Sequence, residues 1–143
     1  MTKFRIRPPV KVATFILVTV ISTACAENKK QNVYVTGSVE KVLQKSSDNT
    51  LTTACERWDI DRDAIKTVFR LSDEYTEYPY SQFYQTPCDI TGNLVIDGLK
   101  WHFSLNGGGI MTLSHENKTM YRGCSDTQCS PYILLLTDGM SGN

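Results

Sequence analysis

The sequence predicts an α+β domain, with an antiparallel sheet of four to six strands, one main helix packed on one face of it, and disulfide staples. Three observations carry that prediction. Residues 88–109, CDITGNLVIDGLKWHFSLNGGG, alternate apolar and polar residues on both sides of Asp97-Gly98. Residues 62–75 place apolar side chains at three- and four-residue steps. Four cysteines, Cys55, Cys88, Cys124 and Cys129, remain once an N-terminal export segment is set aside.

The hairpin is the best specified element. Asp97-Gly98 as a two-residue loop sets Ile96 opposite Leu99, Leu94 opposite Trp101, Gly92 opposite Phe103 and Ile90 opposite Leu105, so the large residues of that face are apolar. The other face pairs Val95 with Lys100, Asn93 with His102, Thr91 with Ser104 and Asp89 with Asn106. A one-residue slip would mix the two faces, which fixes the register. Leu94, Ile96, Trp101, Phe103 and Leu105 are therefore expected inside, and His102 outside.

The export segment occupies residues 1–26. Lys3, Arg5, Arg7 and Lys11 precede the apolar run VATFILVTVI at 12–21, and small residues, STACA, follow at 22–26. A charged start, a short apolar run and small residues mark a secretory signal peptide, and ten apolar residues are too few for a spanning helix of about 20. Two cleavage schemes compete. A small-x-small site before Glu27 would remove Cys25 with the signal, whereas a lipobox-like reading of 22–25 would make Cys25 the acylated first residue. Ser22 stands where the lipobox has a leucine-like residue. Both schemes place one small α+β domain at 27–143 in an oxidising compartment, periplasmic, either free or tethered as a lipoprotein.

All 15 acidic residues lie from Glu27 onward, whereas four of the 15 basic ones lie in the export segment, so the remainder carries 11 − 15 = −4. That balance, with no basic patch interleaved with aromatics, argues against nucleic acid as a partner. A membrane would be met only through a lipid on Cys25. Oligomeric state is not legible.

Val33, Val35, Gly37 and Val39 alternate with Tyr34, Thr36 and Ser38 as a half-buried strand that residues 40–44 extend or leave for a helical turn. Asn49 or Thr50 caps a short turn through Ala54, Cys55 and Trp58, and Asp59 or Asp61 caps a helix from Arg62 to about Tyr75. Ile65, Val68, Phe69, Ser72 and Tyr75 form its stripe, for which the apolar hairpin face is the natural seat. Gly107-Gly108-Gly109 makes a turn. A three-residue loop there sets Met111 opposite Leu105 and Leu113 opposite Phe103, and a two-residue loop would instead turn Thr112 and Ser114 inward. A polar reversal at 116–119 leads to a fourth strand at 120–123, of open register. The run YILLLT at 132–137 has no alternation and reads as a strand covered on both faces.

Candidate chemistry is sparse. Four cysteines allow three pairings. Cys55 with Cys88, tying helix entrance to hairpin entrance, and Cys124 with Cys129, closing a local loop, are preferred over the other two. No C-x-x-C pair is present and export favours disulfides, so no metal and no cofactor are expected. Asp59-x-Asp61-x-Asp63 starts like an EF-hand loop but fails at Ala64, where glycine is needed, and at Arg70, where a glutamate should sit. Helix capping accounts for these aspartates better. His102 and His115 belong to no recognisable catalytic pattern.

Residues 75–87 concentrate tyrosines between Pro79 and Pro87 and their flanks. Tyr78, Tyr80 and Tyr84 are the candidate binding residues, because tyrosine offers broad amphipathic contact area with a polar tip. The competing reading, and the preferred one, has these rings covering an edge of a small core.

The segments CERWDI at 55–60, SQFYQTPCDITGNL at 81–94, WHFSLNGGG at 101–109 and RGCSDTQCSPYILL at 122–135 together resemble a set of small, uncharacterised exported bacterial proteins with a Trp-x-Phe strand before glycines and paired C-terminal cysteines. The resemblance covers most of the chain after residue 26. It implies an envelope location and disulfides, and nothing about chemistry. The leading functional expectation is a non-catalytic cell-envelope binding protein, an inhibitor or immunity-type protein acting on another exported protein. The alternative is a carbohydrate-binding or hydrolytic envelope protein using the loop 78–84.

Overall fold

The computed structural model of the chain describes residues 31–138. The cleavage and lipidation readings at Cys25, and the tail after Asp138, lie outside the described residues. Eight principal elements follow in order: β1 (Val33–Leu43), α1 (Asn49–Arg57), α2 (Arg62–Leu71), β2 (Asp73–Tyr75), β3 (Cys88–Ile96), β4 (Leu99–Asn106), β5 (Ile110–His115) and β6 (Lys118–Gly123). The six strands form one antiparallel sheet in the order β1-β3-β4-β5-β6-β2.

The β3–β4 hairpin holds the expected register at every pair from Asp89–Asn106 to Ile96–Leu99. Asp97 and Gly98 both take positive φ, 49° and 87°, the turn whose twist matches two antiparallel strands. The three-residue loop at 107–109 sets Leu105 opposite Met111 and Phe103 opposite Leu113. β6 begins earlier than expected, because Glu116-Asn117 alone makes the reversal and His115 pairs with Lys118. Glu116 accepts φ of 50° to do so.

The helices are short and locally capped. Asp48, one residue before the expected cap, accepts from the Leu51 amide at 2.9 Å, and Asp61 accepts from that of Ala64 at 2.7 Å. Ile65, Val68 and Phe69 are buried in one cluster with Leu94, Trp101, Phe103, Leu105, Met111 and Leu113, so the helical stripe and the apolar hairpin face share a core. α2 stops at Leu71, four residues short of expectation. The Ser72 hydroxyl donates to the Val68 carbonyl at 2.7 Å and the backbone turns extended. Asp73–Tyr75 then pairs with β6, and the Arg122 guanidinium donates to the Ser72 carbonyl at 2.6 Å. A sheet border offering backbone partners outweighs one more helical turn.

Residues 132–137 correct a second expectation, since they form no strand. The chain leaves the short 3₁₀ turn Thr127–Cys129, and the amides of Leu134 and Leu135 both donate to the Gly107 carbonyl, at 2.8 and 3.1 Å. Ile133 is buried and Leu135 exposed, so the run seals the core beside the glycine turn instead of pairing. Both preferred disulfides are present, Cys55–Cys88 and Cys124–Cys129. The fold is the expected α+β sheet-and-helix domain with two staples.

Candidate functional site

The second face of the sheet carries Thr91 and Asn93 of β3, Ser104 and His102 of β4, Thr112 of β5 and Tyr121 of β6, which the register places side by side. The loop 76–87 crosses one end of that face. Tyr75 pairs with Tyr121 across the β2–β6 ladder, and the Tyr78 ring meets the Tyr121 ring edge to face at 5.7 Å. Phe83 lies edge to face on Tyr75 at 5.8 Å and stands directly over Gly123, where an added Cβ would come within 2.4 Å of its ring. Phe83 is 4% exposed and Ile110, on the same face, 1%. These residues make a small second core.

Asn106 latches the loop to this scaffold. Its side-chain amide donates to the Thr86 carbonyl at 3.0 Å, the Cys88 carbonyl at 3.3 Å and Asp89 at 3.2 Å, and its oxygen accepts from the Thr86 amide, the Thr86 hydroxyl and the Gly108 amide. Every capacity of a buried side chain is used, which makes the network rigid. Gly108 is required by close approach, since a Cβ there would sit 1.8 Å from the Tyr84 carbonyl oxygen. Of the three glycines only Gly109 takes positive φ. The Thr137 hydroxyl donates to the Gln82 carbonyl at 2.7 Å and ties the C-terminal segment to the same loop.

The three sequence-predicted tyrosines stand outside this clamp. Tyr78 is 39%, Tyr84 40% and Tyr80 68% exposed. The reading of these rings as cover for the edge of a small core therefore holds for Phe83 and Tyr75 and in part for Tyr78, whose ring packs on Tyr121, while Tyr84 and above all Tyr80 are displayed. Their hydroxyls are oriented: Tyr78 donates to the Gln85 side chain at 3.0 Å and Tyr84 to Asp138 at 3.2 Å. Burial, then the charge of Asp89 and the neighbouring Tyr80, pushes the Tyr78 phenol above its ordinary value, and the Asp138 carboxylate does the same to Tyr84. Both phenols stay neutral hydrogen-bonding groups at physiological pH. Tyr121 belongs to the same patch and was missed, because no local pattern links it to a loop some 40 residues earlier.

The other candidates lie apart from this patch. His102 is exposed on the second face, and His115 at the end of β5 contacts the Lys100 carbonyl at 2.8 Å and the Trp101 ring at 5.4 Å. Asp61 caps α2 and Asp63 pairs with Lys66 at 2.6 Å, which holds the Asp63 carboxyl below its usual range. Among the described residues, no three His, Cys, Asp or Glu side chains are placed to hold a metal ion. The four disulfide cysteines are buried and structural.

No family model, no curated protein and no solved structure matches the chain.

Proposed function

We propose that the chain is a non-catalytic binding protein of the cell envelope, of the inhibitor or immunity type, that grips another exported protein through Tyr78, Tyr80 and Tyr84. The supporting observation is the division of labour inside one loop: Phe83 is buried as an anchor while Tyr80, three residues earlier, is 68% exposed. A loop held by a saturated asparagine network presents those rings at low entropic cost, the condition under which tyrosines dominate interfaces. The two disulfides suit an oxidising compartment. Among the described residues no helix is long and apolar enough to cross a membrane.

The test is capture from a bacterial envelope extract by immobilised protein, compared with the Tyr78→Ala, Tyr80→Ala, Tyr84→Ala triple variant. The reading expects one protein retained by the wild type and affinity reduced at least about 30-fold in a triple variant of unchanged fold, the scale of a lost hot spot of about 2 kcal/mol. Equal capture by both would refute it.

A carbohydrate ligand is the second reading. It is favoured by the hydroxyl- and amide-bearing sheet face, with Thr91, Asn93, Ser104 and Thr112, that runs up to the Tyr78–Tyr121 pair. Co-sedimentation with purified peptidoglycan, lost in the triple variant, is its expected result. Failure of the protein to sediment with that glycan counts against it.

A further inference from the structure

The displayed tyrosines stand in a stretch of chain without a cation. From Leu71 to Leu99 there is no lysine or arginine, whereas Asp73, Glu74, Glu77, Asp89 and Asp97 all fall there. Glu74 is partly matched, its carboxylate 3.8 Å from the Arg122 guanidinium. Glu77 and Asp89 are not matched. Glu77 precedes Tyr78, is exposed, and makes no ion pair among the described residues. Asp89 is half-buried and held by neutral donors, the Gln44 side-chain amide at 3.1 Å and that of Asn106 at 3.2 Å, so its carboxylate is oriented while its charge is not cancelled. Burial first, and then the field of Asp89, raise the Tyr78 phenol, which sets that carboxylate near the ring. Lys41 of β1 and Arg122 of β6 lie opposite Ile90 and Met111 on the helix-bearing face, and they donate to the Glu56 and Ser72 carbonyls. Lys45, beyond Gln44, is exposed and pairs with no carboxylate among the described residues. The rings themselves are firmly presented: Pro79 is buried between Tyr78 and Tyr80, and the Gln85 side-chain amide donates to the Phe83 carbonyl at 3.1 Å.

Resting on the reading that these tyrosines grip another exported protein, we propose that the group they take from it is a cation: an arginine-bearing basic segment whose guanidinium lies on the Tyr78 and Tyr80 rings beside Glu77 and Asp89. The face of a tyrosine ring is negative and attracts a cation within about 6 Å of its centre. Arginine suits the site better than lysine, because its plane stacks on a ring while its fork donates to carboxylates. Charge also decides against other occupants. An acidic segment would set like charges against two carboxylates that have no cation of their own. A neutral glycan would use ring faces and hydroxyls and leave both carboxylates unmatched, so the charge of the ligand separates the two classes.

The experiment is an NMR titration of the protein as the cell processes it with three blocked peptides: Gly-Arg-Gly-Arg-Gly, the same sequence with citrulline, which keeps the shape of arginine and drops its charge, and Gly-Glu-Gly-Glu-Gly. At low salt the arginine peptide is expected to shift the amide signals of Glu77, Tyr78 and Tyr80, and to bind at least about 10-fold more tightly than the citrulline peptide, with the difference shrinking as salt is added. The glutamate peptide is expected to shift none of them. Glu77→Gln with Asp89→Asn is expected to abolish the preference for arginine. Glu56→Gln with Glu116→Gln removes the same charge from exposed positions elsewhere and is expected to keep it within about 2-fold. If Asp89→Asn disturbs the Asn106 network, Glu77→Gln alone carries the test, with an expected loss of about 3-fold. Equal binding of the arginine and citrulline peptides, shifts centred elsewhere, or equal losses in the two double variants overturn the proposal. The tyrosine surface is judged separately, by capture from an envelope extract. If the Tyr78→Ala, Tyr80→Ala, Tyr84→Ala variant loses its captured protein while Glu77→Gln with Asp89→Asn retains it at every salt concentration, the cation is overturned and the tyrosine surface stands; a triple variant that captures like wild type overturns both.

Discussion

Replacing Gly108 by alanine tests the latch that presents the tyrosine loop. The added Cβ would lie 1.8 Å from the Tyr84 carbonyl oxygen and 2.7 Å from its carbon, both backbone atoms, and real Cβ atoms essentially never approach within 3.0 Å. The loop must therefore move by about 1 Å, because no side chain can yield in its place. Such overpacking costs about 1–3 kcal/mol. The shift also pulls the Thr86 amide and hydroxyl away from the Asn106 oxygen, now at 3.2 and 3.1 Å, and a buried polar group left unmatched adds about 1–3 kcal/mol. Gly98→Ala is the control: its Cβ meets nothing within 4 Å, and the φ of 87° alone is strained, for about 1–2 kcal/mol. At roughly 4 °C or more per kcal/mol for a domain of this size, Gly108→Ala is expected to melt about 15 °C below wild type, and Gly98→Ala about 5 °C below. Circular dichroism under non-reducing conditions measures both. Asn106→Ala combined with Gly108→Ala is expected to cost less than the sum of the singles, because both break one network. A Gly108→Ala protein as stable as Gly98→Ala, or strict additivity with Asn106→Ala, would refute the latch.

Removing the Cys55–Cys88 bridge, which closes a 33-residue separation, is expected to cost about 4 kcal/mol, and removing Cys124–Cys129, with a separation of 5, about 2 kcal/mol. Chemical denaturation of the paired alanine variants checks the order, and the reverse order contradicts it. Phe83→Ala is expected to lose about 3–5 kcal/mol, whereas Tyr80→Ala stays within about 0.5 kcal/mol of wild type; equal losses would mean that both rings are core. Tyr75, Tyr78 and Tyr84 have raised phenol values, so unfolded chains ionise first near pH 10. The stability these groups contribute is complete below that pH and is lost as pH rises through their folded values. Tyrosinate absorbance is expected to show part of the seven tyrosines titrating late, and Asp138→Asn to bring Tyr84 back toward the others.

Local chemistry decided what could be read in advance. The β3–β4 register was legible because Asp97-Gly98 names its turn and each side chain from Ile90 to Leu105 agrees with one pleat. The β5 register followed from the same hairpin once Gly107–109 was counted as three residues. The disulfide pairing was legible from where the elements begin. By contrast, the last turn of α2 was lost to β2, because Ser72 and Tyr75 keep helical spacing while the β6 border that captures residues 73–75 comes about 45 residues later. The run at 132–137 is apolar without a period, and such a run does not distinguish a two-sided strand from a wrap that donates twice to Gly107. Asn106 looked like the polar partner of Asp89, which it is, but its six hydrogen bonds depend on how loop 84–88 folds back. Phe83 and Ile110 form their core on the face expected to be polar, and only the crossing loop brings them together. For the same reason residues 75–87 were legible as a ring-rich loop between helix and hairpin, while the burial of Phe83 against the display of Tyr80 was not.

The proposed function requires that the displayed tyrosines touch the partner. Site-specific photo-cross-linking in living cells tests it most directly, with benzoylphenylalanine in place of Tyr80 on the loop and, separately, in place of His102 on the open sheet face. An adduct to one exported protein from position 80 and none from position 102 is the predicted result. An adduct from position 102 alone, or none from either, would contradict it.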